Sequence, residues 1–211
     1  MILGKQVIVF GAGPSLEEDI SGLGSILTSG KIVVIAADGA ADALKAHSVD
    51  PEIVVSDLDS CSVEELVNAS NNRLLIIHAH GDNVELMRQL MPKLGKRILG
   101  TTQIEPFDEV HNYGGFTDGD RACYIAASFM PRSIALAGMD FGDIEGPFSK
   151  SMHSVSSDRK LRKLKLLFGK ESLEFLIENS KGGKFSNLTR FGVEIKGAPR
   201  VSYEDFAREI S

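Results

Sequence analysis

Residues 6–16 read QVIVFGAGPSL. Gln6–Phe10 is an apolar, β-branched run with almost no polar alternation, which predicts a strand buried on both faces. A glycine-rich turn follows, and an amphipathic pattern over 16–27 predicts a helix. Strand, tight turn and helix make the repeating unit of a parallel sheet. The pattern recurs outward from this stretch. Strands are predicted at 32–36 (IVVIA), 53–55, 73–78 (RLLIIH), 97–100 and 133–137 (SIALA). Helices are predicted at 38–46, from near Ser62, and at 82–94 and 117–129. The fold class that follows is α/β, a doubly wound, mostly parallel sheet with helices on both faces.

Beyond Asp140 the pattern changes. A long basic amphipathic helix is predicted at 156–178, then a short strand or two and a terminal helix. Residues 1–145 are expected to form a Rossmann-like catalytic core, and 146–211 a small C-terminal α+β extension of the same domain. At 211 residues the chain is long enough to bury a full core.

Composition narrows the function classes. A net charge of −6 gives no basic field for nucleic acid. Cys61 and Cys123 lack CxxC spacing, so neither a disulfide framework nor a zinc knuckle is expected. No apolar run is long enough to cross a bilayer, and no leader pattern opens the sequence, so a cytoplasmic protein is the default expectation.

Ligands of open parallel sheets bind at the carboxyl ends of strands, and the polar clusters fall there in turn. Gly11, Gly13 and Ser15 follow the first strand, and Asp38 the second. Asp57 and Asp59 follow the third; His78, His80 and Asp82 mark the fourth; Asp140 follows the last. In Asp57-Leu58-Asp59 an extended segment would put two carboxylates on one side. Their mutual repulsion favours a divalent cation, and Mg²⁺ takes carboxylates, waters and phosphate oxygens. The bland alternative is a turn capping the next helix. His78 and His80 with an Asp have zinc-like spacing, but no third strong nitrogen or sulfur ligand is near. Asp82 with Glu85 also resembles a capping box.

Gly114-Gly115-Phe116-Thr117-Asp118-Gly119-Asp120-Arg121 is a glycine-rich turn entering a helix. Amides at a helix N-terminus bind anions, and Arg121 can clamp a phosphate. Thr117 is the expected N-cap. GAG with Asp38 suggests a dinucleotide fingerprint, but Leu16 stands where the third glycine belongs. No GxxxxGK[ST] occurs. In the basic run 159–165 most cations read as a solvated face, with Lys163 a candidate to reach a triphosphate.

Together GAGPSL (11–16), ADGA (37–40), VVSDLDS (54–60), HAHGDN (78–83), GGFTDGDRA (114–122) and LAGMDFG (136–142) resemble the archaeal 6-hydroxymethyl-7,8-dihydropterin pyrophosphokinase family, itself distantly similar to thiamine pyrophosphokinases. The likeness covers the first two-thirds of the chain. It implies an ATP-dependent diphosphokinase acting on the hydroxymethyl group of a reduced pterin and releasing AMP. The product would feed a folate or methanopterin-type cofactor. The implied catalytic set is Asp57, Asp59, Asp82, Asp118 and Arg121, with Mg²⁺ on Asp57, Asp59 and Asp82. Gly11, Gly13, Ser15, Asp38, Gly114, Gly115, Thr117, Asp120 and Lys163 are the implied ligand-binding residues. ATP and the pterin are the expected partners, with no nucleic acid or membrane, and a homodimer is compatible with a small enzyme of this kind. A GxGPSL start also resembles some glycosyltransferase-like families. A nucleotide-sugar enzyme and a non-catalytic nucleotide-binding module are therefore the competing readings.

Overall fold

The computed structural model describes residues 1–142, 146–148, 159–180 and 183–210. Among them are eight strands: β1 (Gln6–Phe10), β2 (Ile32–Ala37), β3 (Ile53–Ser56), β4 (Leu74–Ala79), β5 (Ile98–Thr102), β6 (Val110–His111), β7 (Ser133–Ala137) and β8 (Lys184–Asn187). The helices are α1 (Leu16–Leu23), α2 (Ala40–Ala46), α3 (Val63–Asn72), α4 (Val84–Leu90), α5 (Asp118–Ser128), α6 (Arg159–Asn179) and α7 (Tyr203–Ile210). The strands form one sheet in the order β6-β5-β4-β3-β2-β1-β7-β8, and each neighbouring pair runs parallel. Parallel neighbours need long crossovers, which the helices supply.

Side chains alternate along each strand into two cores. From β1, Ile8 and Phe10 pack with Leu16, Leu44, Leu66 and Phe206 under the helices of one face. Val7 and Val9 pack with Ile125, Ala126 and Leu173 under α5 and α6 on the other. Each fully buried Leu, Ile or Phe contributes about 1.5–3 kcal/mol, so the doubly wound sheet is a hydrophobic solution on both faces. Cys61 and Cys123 are both buried thiols. No helix among the described residues is long and apolar enough to cross a membrane.

Several expected boundaries shift for local reasons. The helix expected over 16–27 ends at Leu23, because Gly24 turns to φ +49° and the chain continues as a 3₁₀ turn over Gly24–Thr28. The helix expected over 82–94 shortens to α4 and a 3₁₀ turn at Met91–Lys93, where Pro92 has no N–H to donate. The short strand β6 was not anticipated. The first three residues of the helix expected over 156–178 lie outside the described residues, as does the boundary drawn at 145. In the C-terminal part β8 adds a strand to the sheet, pairing with β7 from Ser133↔Lys184 to Leu136↔Asn187.

Two buried carboxylates fasten the C-terminal strap to the first β–α turn. Asp140 accepts from the Ser15 amide at 3.1 Å and the Ser15 hydroxyl at 2.6 Å, and the Phe191 amide donates to that hydroxyl oxygen at 2.8 Å. Asp19 accepts from the amides of Gly138 (2.7 Å) and Arg190 (3.1 Å) and from the Tyr203 hydroxyl (2.6 Å). Burial pushes the Asp19 carboxyl up to about 6, against the lowering effect of these donors. The folded state therefore holds this proton more tightly than the unfolded chain does. The stability that Asp19 contributes is lowest at neutral pH and rises as pH falls through 6. Relative to Asp19→Asn, the wild-type chain should gain about 1 kcal/mol between pH 7 and pH 5. Urea midpoints of both proteins at the two pH values measure this; a pH-independent difference would refute it.

Candidate active site

All strands point their carboxyl ends to one edge, and the acidic residues gather at β2 and β3. Carboxylate oxygens of Asp38, Asp57 and Asp59 lie within 4.8 Å of one another, the first two buried and the third exposed. Their convergence comes from the backbone. Asp38, directly after β2, has φ +52°, and Leu58 has φ +78°. The segment 57–59 is thus not extended as its alternation suggests. It folds through a left-handed residue, and the Leu58 side chain is buried in the core. The Ser56 hydroxyl fixes both halves, donating to Asp38 Oδ1 at 2.8 Å and accepting from the Leu58 amide at 2.8 Å.

The end of β4 closes a second side. The His80 Nε2 lies 3.3 Å from Asp57 Oδ2. The buried Asn83 amide donates to the carbonyls of Asp57 (2.9 Å) and His78 (2.7 Å), and its Oδ1 accepts from the His80 amide at 3.3 Å. Asn83 therefore staples the acidic turn to the histidine turn. It is the N-cap position of α4 but makes no capping bond there. Asp82 is exposed, does not cap α4, and lies outside the three-carboxylate group. His78 is buried with Nδ1 3.2 Å from Thr101 Oγ1, and its ring lies 5.9 Å from that of His80. Burial, with help from the Arg121 and His80 charges, pulls its pKa down to about 4, so it is neutral near pH 7.

The glycine turn before α5 belongs to the other face of the sheet, where α5 packs, and the Arg121 charge that follows it acts on Asp57 and His78. Gly114 and Gly115 have φ +95° and +91°, and a Cβ on Gly115 would sit 2.4 Å from the Arg121 Cα. Thr117 and Asp120 form a capping box. Asp120 is fully buried, and its oxygens accept from the amides of Phe116 (2.7 Å) and Thr117 (2.6 Å). Arg121 is buried as well. Its Nη1 donates to the carbonyls of Gly114 and Gly115, each at 3.2 Å, and Nη2 to that of Phe116 at 3.5 Å. Burial lowers the Arg121 pKa, and the Asp118, Asp120 and Asp57 carboxylates oppose that. The guanidinium is thus a strut beneath the turn, where the sequence suggested an outward phosphate clamp. Of the turn's two carboxylates, Asp120 is engaged by backbone and Asp118 is half-buried.

The first glycine turn meets protein. The Gly11 and Gly13 amides donate to the carbonyls of Ala137 and Gly138, and Ser15 is tied to Asp140. A Cβ on Gly13 would lie 2.2 Å from Asp140 Oδ2. Lys163 lies on the exposed first half of α6, six residues before Gly169, which packs against Thr117. An open cavity of about 670 Å³, lined by Asn187, Ile195 and Arg200 among others, lies at the β8 edge of the sheet, while the carboxylates lie over its middle strands.

The sequence pattern assigns no individual role to Asn83 or Ser56, and it places Asp38 among the ligand-binding residues and not in the carboxylate cluster. The signal for Asn83 was its place two residues beyond His-Gly-type turn chemistry, where an amide can bond both loops.

A parallel α/β sheet with a carboxylate cluster at its carboxyl edge defines a class of small-molecule site. The model of the family described as 6-hydroxymethylpterin diphosphokinase MptE-like matches residues 2–146, and the chain belongs to that family. A protein named 6-hydroxymethyl-7,8-dihydropterin pyrophosphokinase from Pyrococcus furiosus is 41% identical over 183 residues, covering 85% of this chain and 75% of that one. Its namesake from Methanothermobacter thermautotrophicus is 39% identical over 178 residues, covering 83% and 75%. Among solved structures, the MAf glycosyltransferase from Magnetospirillum magneticum AMB-1 superposes with a TM-score of 0.54 at 15% identity. That match covers the whole of this chain but only 37% of the glycosyltransferase, and it is a likeness of fold.

Removing the Asn83 amide leaves two buried carbonyls without their donor. Asn83→Ala should lower the unfolding free energy by about 2 kcal/mol. Denaturant titration measures this, and an unchanged midpoint would show that the two loops do not depend on the staple.

Proposed function

We propose that this chain transfers a diphosphoryl group from ATP to the hydroxymethyl oxygen of 6-hydroxymethyl-7,8-dihydropterin. The observation that carries the proposal is the convergence of Asp38, Asp57 and Asp59 in a chain whose relatives bear that enzyme's name. In the reaction the hydroxymethyl oxygen bonds to the β-phosphorus of ATP. The bond from that phosphorus to the α,β-bridging oxygen breaks, AMP leaves with that oxygen, and the hydroxyl proton passes to a base.

Three clustered carboxylate oxygens are the hard donors that Mg²⁺ takes, so the residues fit the ion. Mg²⁺ held there would neutralise charge on the phosphate oxygens as it spreads in the transition state. The donor set is thereby Asp38, Asp57 and Asp59, with Asp82 a candidate for a water-mediated ligand. His80, in contact with Asp57, orients that carboxylate. Arg121 lends positive potential from beneath the glycine turn while holding its carbonyls. Asp118 is the carboxylate we assign to the amidine-like edge of the pterin by paired hydrogen bonds. Lys163 is the cation we assign to the outer phosphates. Such pre-set electrostatics is the larger part of catalysis in phosphoryl transfer.

The test is to incubate the protein with ATP, Mg²⁺ and 6-hydroxymethyl-7,8-dihydropterin and to follow AMP. AMP should form in step with pterin diphosphate. Asp57→Asn and Asp38→Asn should each cut turnover about 100-fold or more, with circular dichroism unchanged. No AMP, together with turnover of a sugar nucleotide, would replace this reading with glycosyl transfer. Full activity in both variants would remove the carboxylate cluster from the mechanism.

A further inference from the structure

We infer that His78 contacts the acceptor substrate, its Nε2 taking a hydrogen bond from a ring N–H of the reduced pterin. The inference rests on the reaction proposed above and names a binding residue for it. His78 is the penultimate residue of β4, and Ser56 pairs with Ile77 in the β3–β4 register, so His78 stands level with Asp57. Leu74 and Ile76 face the core under α5, and alternation puts the His78 ring on that face too. Its Nδ1 lies 3.2 Å from Thr101 Oγ1, and the Thr101 hydroxyl donates its proton to the Ile77 carbonyl at 3.3 Å. The Thr101 oxygen is thus left to accept, so Nδ1 carries the imidazole proton and Nε2 is a bare lone pair. That Nε2 is buried and has no hydrogen-bond partner.

A buried polar group without a partner costs stability, and native proteins keep few of them. Two lie here. The Arg121 charge acts on His78, and the Arg121 Nε, a donor, is likewise buried and unmet. Chemistry selects the ligand. An ionised phosphate oxygen has no proton to offer a lone pair, so Nε2 does not serve the triphosphate. A neutral ring with N–H donors and acceptors side by side fits. A reduced pterin carries these on more than one edge, enough to serve Asp118 and His78 together. Adenine offers an N–H as well, but a ribose and the α-phosphate separate it from the reacting phosphorus. A single methylene separates the pterin ring from the attacking oxygen. The His80 ring is stacked 5.9 Å from that of His78, and its side chain is 25% exposed. A shift of that one ring brings Nε2 to the open edge.

Two substitutions separate contact from support. His78→Asn sets an amide where Nδ1 stands, keeping the Thr101 bond and removing Nε2. His78→Gln carries its amide out to the Nε2 position and gives up the Thr101 bond. Calorimetric titration of the intact protein with 6-hydroxymethyl-7,8-dihydropterin, and separately with α,β-methylene-ATP and Mg²⁺, reads both. His78→Asn should weaken pterin binding roughly tenfold or more, and His78→Gln should weaken it less. Binding of the ATP analogue should stay as in the wild type, which also reports that the variants are folded. The reverse order, with Asn near wild type and Gln weak, would mark a ring that only supports Thr101 and would overturn the inference. So would a loss confined to the ATP analogue, or an equal loss of both ligands. A wild-type protein that binds the analogue but no pterin would bring down the proposed reaction and this inference with it. Normal AMP formation by the wild type, with pterin binding unchanged in both variants, would overturn this inference alone.

Discussion

The geometry of this protein's acidic edge depends on burying Leu58 in a left-handed turn. A leucine at φ +78° costs roughly 1–2 kcal/mol against its ordinary conformations. Burying its side chain returns about 1.5–3 kcal/mol, and the Ser56 hydroxyl satisfies the amide that the turn would otherwise strand. The turn is therefore stable without a ligand, and its two flanking carboxylates are brought round to Asp38 by apolar packing. Carboxylates that repel one another are held together by a leucine that cannot leave the core.

That arrangement sets an electrostatic problem, which the surrounding residues answer in order of distance. Ser56 donates to Asp38 and His80 touches Asp57. Arg121 lies deeper and is favoured by Asp57, Asp118 and Asp120. Its donors hold three successive carbonyls of the glycine turn, so one cation both braces the loop and offsets the carboxylates. His78 stays neutral beneath them because burial outweighs the pull of Asp57. The site thus carries its positive charge under the backbone, leaving the open side acidic, which suits a cation-bound phosphate better than a bare one.

Much of the fold was legible because burial dictates it. Runs such as Gln6–Phe10 and Ile32–Ala37 are apolar at consecutive positions, and only a sheet covered on both faces accommodates that. The clusters at strand ends were legible for the same reason, since an all-parallel sheet sends them to one edge. Which carboxylate meets which was not legible. Asp57-Leu58-Asp59 alternates like a strand, and nothing in the composition of an aliphatic residue announces a positive φ. Asp120 and Arg121 look like ligand residues because they sit in a glycine turn, yet both are absorbed by the capping box and the turn's carbonyls. Ser62 behaves as the local pattern suggests, accepting from the Glu65 amide at 3.2 Å to cap α3. Local capping chemistry can be read residue by residue; convergence across strands needs the register.

The same register explains why the carboxylate cluster does not lie where an open α/β sheet usually binds its ligand. The strand order reverses between β1 and β7, the ordinary crevice for a ligand. Here that crevice is filled. A Cβ on Gly138 would lie 2.3 Å from the Gly11 carbonyl oxygen, and one on Gly146 would lie 2.4 Å from that of Ala12. Gly39 is pressed against the Phe148 carbonyl in the same way. Glycines that would admit a pyrophosphate in a dinucleotide fold instead admit the protein's own backbone, and Asp140 with Ser15 bolts the C-terminal strap over them. With backbone packed closely at the switch point, the acidic cluster lies instead over β2, β3 and β4. Its acidity then follows from the sequence at those three strand ends.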